Sequence, residues 1–138
     1  QYEQMKNAFN PEFTHFTGYM SGEPLAQAFA SADVFAFPSL TETLGLVALE
    51  SFASGVPVVG ARAGGIPFVI DDGETGLLVD KEASAAQWAD AFAQLLIDDT
   101  RRHTMGTLAR EEAQRWSWRA ATEKLVEYYA QCISQHTE

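Results

Sequence analysis

The 138-residue chain has 46% hydrophobic and 20% charged residues, which is typical of one globular domain large enough to bury a core. Its formal net charge of −10 argues against nucleic acid or an anionic membrane surface as a partner held by bulk electrostatics. The single cysteine, Cys132, cannot form an internal disulfide, so we expect a reducing compartment, with the cysteine itself in a packing role on the last helix.

The first third of the chain predicts a helix, a strand and a second helix. Residues 2–9 are helical in pattern and end at Asn10-Pro11, and residues 13–16 are apolar enough for a short strand. A second, amphipathic helix is predicted by apolar residues at i, i+3, i+4 and i+7, namely Leu25, Ala28, Phe29 and Ala32.

Residues 34–61 predict a strand-loop-helix-strand unit, around which the rest of the chain is organised. A buried strand over 34–37 is followed by a Pro-Ser turn, and a helix runs from about Gly45 to Ser54. Gly55-Val-Pro57 ends that helix, and the second strand covers 58–61. Because Gly45 lacks a Cβ and the helix begins there with free N–H groups, we expect an anion seat suited to a phosphate.

Two glutamates flank this seat. Glu42 lies in the loop before it, and Glu50, in the second helical turn, is expected to lean back toward the helix N-terminus. A carboxylate beside a phosphate makes sense if it accepts hydrogen bonds from hydroxyls attached to that phosphate, which suggests a sugar nucleotide. Spacing alone is equally consistent with two solvated acids favouring a helix N-terminus.

The remainder of the chain predicts a turn, a strand and three helices. Residues 71–76 have turn composition, 77–79 form a short strand, and helices occupy 84–134 with breaks and caps at Asp98-Asp99 and Ser117. The tryptophans and tyrosines of these helices are expected mainly in the core. Between Lys6 and Arg62 the chain has no lysine or arginine, so a bound diphosphate would depend on backbone N–H groups or on basic residues that this chain lacks.

A family signature covers nearly the whole chain. Pro38-Ser39-x-x-Glu42-x-Leu44-Gly45-x-x-x-x-Glu50, followed by Ala53-x-Gly55-x-Pro57-Val-Val, resembles glycosyltransferase family 4, whose members are retaining enzymes of the GT-B fold. The resemblance continues through Gly64-Gly65-Ile-Pro67, Asp72-Gly-Glu-Thr-Gly76 and the Trp118 helix. Thr43-Leu44-Gly45-Leu46, Arg62-Ala-Gly-Gly-Ile-Pro67 and Trp118-Arg-Ala-Ala-Thr122 are most similar to sulfoquinovosyl transferases, which make the sulfolipid of photosynthetic membranes.

The resemblance implies an α/β fold, a Rossmann-like parallel sheet with helices on both faces. Residues 1–138 would form a single partial domain, the C-terminal, nucleotide-sugar-binding half of a GT-B enzyme truncated at its N-terminal side. A basic pair that this family uses at the donor site would precede the chain. The missing N-terminal domain would supply the acceptor site, so the isolated fragment is expected to be inactive.

The resemblance also implies roles for individual residues. Glu42 would be catalytic and would bind the donor sugar with Thr43 and Leu44, the N–H groups of Gly45 and Leu46 would hold the diphosphate, and Glu50 would bind the ribose. The base would lie against Gly18, Tyr19 and Met20. Arg62 is a possible anion contact, although a solvent-facing or paired arginine is the simpler expectation, and Phe68 stands where the family usually has an acid.

The expected reaction moves a sugar from a nucleotide-diphosphate sugar to a hydroxyl acceptor with retention, without metal or cofactor. UDP is favoured over GDP, and UDP-sulfoquinovose with diacylglycerol is the preferred pair, in a cytoplasmic or plastid-like compartment at a membrane surface. The alternatives are another family 4 transferase using GDP-mannose or UDP-glucose, and a nucleotide-binding domain without transferase activity. A glycosidase using Glu42 and Glu50 as acid and base is least favoured, because it has no use for the helix N-terminus.

Overall fold

The structure, a computed structural model, describes residues 2–136. The helices and strands of this range follow the predicted order, with a 3-10 helix at Ile66–Phe68 before the third strand. Their bounds are α1 Tyr2–Ala8, α2 Glu23–Ala30, β1 Phe35–Phe37, α3 Leu46–Ala53, β2 Val58–Arg62, β3 Gly76–Asp80, α4 Ala85–Ile97, α5 Asp99–Arg115 and α6 Trp118–Gln135.

The three strands form one parallel sheet in the order β1-β2-β3. Phe35 pairs with Val58 across the first ladder, and Val58 pairs with Gly76 across the second. Parallel neighbours require crossover connections, which α3 provides between β1 and β2. The predicted parallel α/β sheet is therefore confirmed, and the carboxyl ends of all three strands meet at one edge.

Two hydrophobic clusters enclose the sheet. One contains Phe37, Phe52 of α3 and Ile66, and the other joins β2 and β3 to Leu95 of α4. Adjacent strand residues point to opposite faces, and the neighbouring Val58 and Val59, both 0% exposed, belong to different clusters. Helices therefore cover both faces of β2, as predicted.

The predicted helix caps at Asp98 and Ser117 are confirmed, and Ser84 is a further cap that was not predicted. The Ser84 hydroxyl accepts from the Gln87 N–H in a capping box, and Asp98 accepts from the Arg101 N–H at 2.9 Å to begin α5. Ser117 caps α6 in the same way. Side-chain oxygens thus satisfy N–H groups that the first helical turn leaves without partners.

The predicted strand at residues 13–16 is wrong, because these residues are not in a strand. A strand exists only where its backbone finds a ladder partner, and the described strand nearest in the chain, β1, pairs with β2 alone.

The aromatic residues of the last helix do not lie in the core, so that part of the expectation is wrong. In the resembled fold this helix crosses toward the partner domain, and for that reason part of its apolar surface is expected to be exposed in this chain. No residue of α6 is buried, Trp118 is 87% exposed and Tyr128 52%, and Cys132 is exposed. Apolar residues recur every three or four positions along α6, which indicates an amphipathic helix. This spacing does not show which surface, if any, packs against the apolar face. Along the described residues, no helix combines the length and apolar character needed to cross a membrane.

Candidate functional site

The candidate site lies at the carboxyl edge of the sheet, where two loops meet. The loop after β1 carries Glu42, Thr43 and Leu44, and the loop after β2 carries Gly64 and Gly65. The Gly65 N–H donates to the Glu42 carbonyl at 2.7 Å. A Cβ on Gly65 would lie 2.1 Å from the Thr43 carbonyl oxygen, so only glycine permits this approach. Open parallel sheets bind ligands at this edge.

Gly45 starts α3 in a conformation that other residues adopt only with strain. It is the N-cap, with φ 86° and ψ 40° in the left-handed region. The N–H groups of Leu46 and Val47, in the first turn of α3, donate no hydrogen bond to any residue that the structure describes. Leu46 is 57% exposed. These two N–H groups and the positive end of the helix dipole are therefore available to an anion.

The Glu42 carboxylate folds back over the start of this helix. Its Oε1 accepts the Thr43 N–H at 3.1 Å and the Gly45 N–H at 3.3 Å. Of the two N–H groups predicted to hold a diphosphate, that of Gly45 is thus bonded to the protein's own carboxylate and that of Leu46 is not.

Glu50 borders a groove between α2 and α3. The groove has a volume of about 430 Å³ and is otherwise lined by small or apolar residues and one serine, Gly22, Leu25, Ala26, Phe29, Ala53 and Ser54. The carboxylate is exposed, so it can accept hydrogen bonds from a ligand in the groove. Sequence reasoning placed Glu50 at the site but missed Leu25 and Phe29, which were predicted only to pack α2 on the sheet.

The residues predicted to border a base lie just before α2. Tyr19 is 95% exposed, Met20 is half-buried and Gly18 is exposed. Gly22, which follows them, lines the groove beside Glu50. The loop thus leads into a residue of the groove wall, and the role of Gly18, Tyr19 and Met20 at a base stays a prediction.

Arg62 lies at the carboxyl end of β2 and is paired. Its guanidinium donates to one oxygen of Asp72, whose other oxygen accepts the Leu78 N–H at 2.9 Å. The two side chains are 49% and 42% exposed. The expectation of a paired arginine is confirmed, and Asp72, predicted only as a turn residue, is its partner.

Phe68 is the last residue of the 3-10 helix that follows Gly64 and Gly65, and it is 79% exposed. Within the described residues, no three histidine, cysteine or acidic side chains are grouped as a metal site would need.

A family model described as "Glycosyl transferases group 1" matches residues 2–112. The chain belongs to this family. A D-inositol 3-phosphate glycosyltransferase from Corynebacterium aurimucosum is 49% identical over 112 residues, which are 81% of this chain and 26% of the relative. The sulfoquinovosyl transferase SQD2 from Arabidopsis thaliana is 44% identical over 126 residues, 89% of this chain and 24% of the relative. The chain spans about a quarter of the length of these relatives.

Solved structures of similar proteins have the same fold as this group 1 chain. Sucrose-phosphate synthase from Thermosynechococcus elongatus superposes with a TM-score of 0.84 and 32% identity, over 97% of this chain and 34% of that one. Anabaena HepE in complex with UDP-glucose superposes with a TM-score of 0.76 and 25% sequence identity, over 94% of this chain and 35% of the HepE chain. Membership of the group 1 glycosyltransferases and the GT-B type of fold are therefore confirmed, while the narrower family 4 and sulfoquinovosyl assignments stay predictions.

Proposed function

We propose that this chain is the donor-binding part of a retaining glycosyltransferase that moves a sugar from a UDP-sugar to a hydroxyl acceptor. The observation that carries the proposal is the pair of unbonded N–H groups at the start of α3, Leu46 and Val47. They follow Gly45, whose N–H donates to Glu42, and they belong to the same helix as Glu50, which borders the groove.

The arrangement suits a nucleotide diphosphate. Helix N–H groups and the helix dipole attract the phosphates, and they stabilise the negative charge that develops as the nucleotide leaves. Glu50 would accept hydrogen bonds from ribose hydroxyls in the groove, while Gly18, Tyr19 and Met20 border the base. Glu42, with the backbone of Thr43 and Leu44, would face the sugar.

Charge supports a role for the backbone in holding the phosphates. Arg62 is the only lysine or arginine between Lys6 and Lys81, and it is paired with Asp72. The diphosphate would then be held by N–H groups and by residues outside this chain. The pairing of Arg62 also weakens its assignment as a direct anion contact.

UDP is the nucleotide that the similar structures favour. HepE was solved with UDP, with UDP and glucose, and with UDP-glucose, and it covers 94% of this chain. A UDP-sugar is therefore the first donor to test, and GDP-sugars are the alternative.

The similar proteins support two different assignments of the substrates. The 44% identity to SQD2 over 89% of the chain supports UDP-sulfoquinovose, with diacylglycerol as the acceptor at a membrane surface. The D-inositol 3-phosphate glycosyltransferases, at up to 51% identity over slightly shorter stretches, support an inositol phosphate acceptor. The acceptor site would belong to the N-terminal half of a GT-B enzyme, so the part described here would bind donor without completing transfer.

Calorimetry of the intact protein with UDP and GDP tests the donor half of the proposal. We expect UDP to bind and Glu50→Gln to weaken it about tenfold, because a charged acceptor of ribose hydroxyls is lost. Glu111→Gln removes the same charge from an exposed acid on α5 that does not line the groove, and it is the control. Binding of GDP with none of UDP, or equal UDP affinity in Glu50→Gln and Glu111→Gln, would reject the assignment.

A further inference from the structure

We infer that the Glu42 carboxylate is an internal competitor for the anion seat, which the donor diphosphate must displace before Glu42 can reach the sugar. The inference rests on the proposed function and concerns how the same site discriminates between its ligands. It starts from the two hydrogen bonds that Glu42 Oε1 accepts, from the N–H groups of Thr43 and Gly45.

The carboxylate is placed where a phosphate oxygen would be bound. Gly45 is the N-cap of α3 and directly precedes Leu46 and Val47, so the carboxylate that its N–H holds lies at the start of the helix whose first N–H groups are unbonded. Carboxylate and phosphate oxygens are both anionic acceptors, and the helix dipole favours either. The two anions cannot share the Gly45 N–H without repulsion, so binding of one lowers the affinity for the other.

The loop that carries Glu42 is fixed while its side chain is not. The Glu42 carbonyl accepts the Gly65 N–H at 2.7 Å, and the backbone of residues 42–44 rests on Gly64 and Gly65. The carboxylate itself is bonded only to N–H groups of its own loop, and no described basic side chain pairs with it. Displacement therefore requires a rotation about side-chain bonds and no movement of the backbone.

Displacement affects donor and product differently. A nucleotide-diphosphate sugar loses affinity by displacing Glu42 and regains it through the sugar hydroxyls that the released carboxylate then accepts. UDP, the product, displaces the same carboxylate and has no sugar to offer in return. Glu42 would therefore weaken product binding relative to donor binding and assist release of UDP.

The test is the affinity of the intact protein for UDP and for inorganic pyrophosphate, measured by calorimetry. Glu42→Ala should bind both about tenfold more tightly, since a charge-assisted competitor is removed. Glu42→Gln, whose amide oxygen still accepts the two hydrogen bonds but has no charge, should show a smaller gain in the same direction. Glu111→Ala removes one negative charge on α5 and should change neither affinity.

The outcomes separate this inference from the proposed function. Failure of the unaltered protein to bind UDP would reject the proposed function. If UDP binds but Glu42→Ala and Glu42→Gln bind UDP and pyrophosphate no more tightly than Glu111→Ala does, the internal competitor is rejected and the donor site stands. A structure with UDP should show Glu42 Oε1 beyond hydrogen-bonding distance of the Gly45 N–H, and persistence of that bond would also overturn the inference.

Discussion

Replacing Gly65 with alanine should damage the donor site through the loop that rests on it. Gly65 has φ −82° and ψ −7°, a conformation that alanine adopts without strain. The added Cβ would lie 2.1 Å from the Thr43 carbonyl oxygen, 2.5 Å from its carbon and 2.8 Å from the Leu44 Cα. All three are backbone atoms, so the clash is relieved only if the two loops move apart.

The expected cost follows from these contacts. Overpacking of this kind costs about 1–3 kcal/mol, and loss of the hydrogen bond from Gly65 to Glu42 adds about 1 kcal/mol. We expect the free energy of unfolding to fall by about 2–4 kcal/mol. Because the displaced loop leads directly into Gly45 and α3, UDP affinity should fall at least about tenfold, which corresponds to 1.4 kcal/mol.

The assay combines urea unfolding with calorimetric titration of UDP. Gly73→Ala is the matched control, since Gly73 has φ +89° but open space around its Cβ position. It should lose about 1–2 kcal/mol of stability through backbone strain and retain its UDP affinity. If Gly65→Ala bound UDP as tightly as Gly73→Ala, the reasoning that the glycine contact positions the donor loop would be refuted.

Three further substitutions test the packing, the capping and the surface pair. Phe52→Ala removes a ring that is 0% exposed and should lower the free energy of unfolding in urea by about 3–5 kcal/mol. A decrease below about 1 kcal/mol would mean that the first hydrophobic cluster is not the core. Asp98→Ala removes the cap of α5 and should cost about 1 kcal/mol, while Asp98→Asn should recover most of it. Arg62→Ala breaks a half-exposed pair with Asp72 and should cost less than about 1 kcal/mol, with a difference that shrinks in high salt; a salt-independent loss of several kcal/mol would contradict the surface assignment.

Local signals were sufficient for the central unit. The apolar run before Pro38, the glycine at position 45 and the Gly55-Val-Pro57 sequence predicted β1, α3 and β2 to within one or two residues. The helix caps Asp98 and Ser117 were also predicted correctly, because a capping side chain acts on N–H groups two or three residues away.

Features that depend on distant partners were not predictable in the same way. Residues 13–16 have strand composition, but a strand also needs a neighbour with which to form a ladder. The spacing along α6 indicates one apolar face, yet Trp118 is 87% exposed, because spacing does not reveal which surface covers a helix. The contact of Gly65 with Thr43 brings together two loops 22 positions apart in the sequence, and the adjacent glycines were its only sequence signal.

The candidate site was predicted as a set of residues and not as a set of contacts. Glu42 and Gly45 lie at one helix start because they are close in sequence and the turn geometry is fixed by glycine, whereas Glu50, later in the same helix, borders the groove beside α2. That the Glu42 carboxylate would turn back onto the Gly45 N–H depends on side-chain rotation, which sequence spacing does not determine.

The most direct test of the proposed donor-binding site is an NMR titration of the intact protein with UDP, in which the backbone N–H resonances along α3 are followed. The account predicts that the resonances of Leu46 and Val47 shift most and saturate with the same affinity that calorimetry gives. Saturable UDP binding that leaves both resonances unmoved, while N–H groups elsewhere in the protein shift, would contradict it.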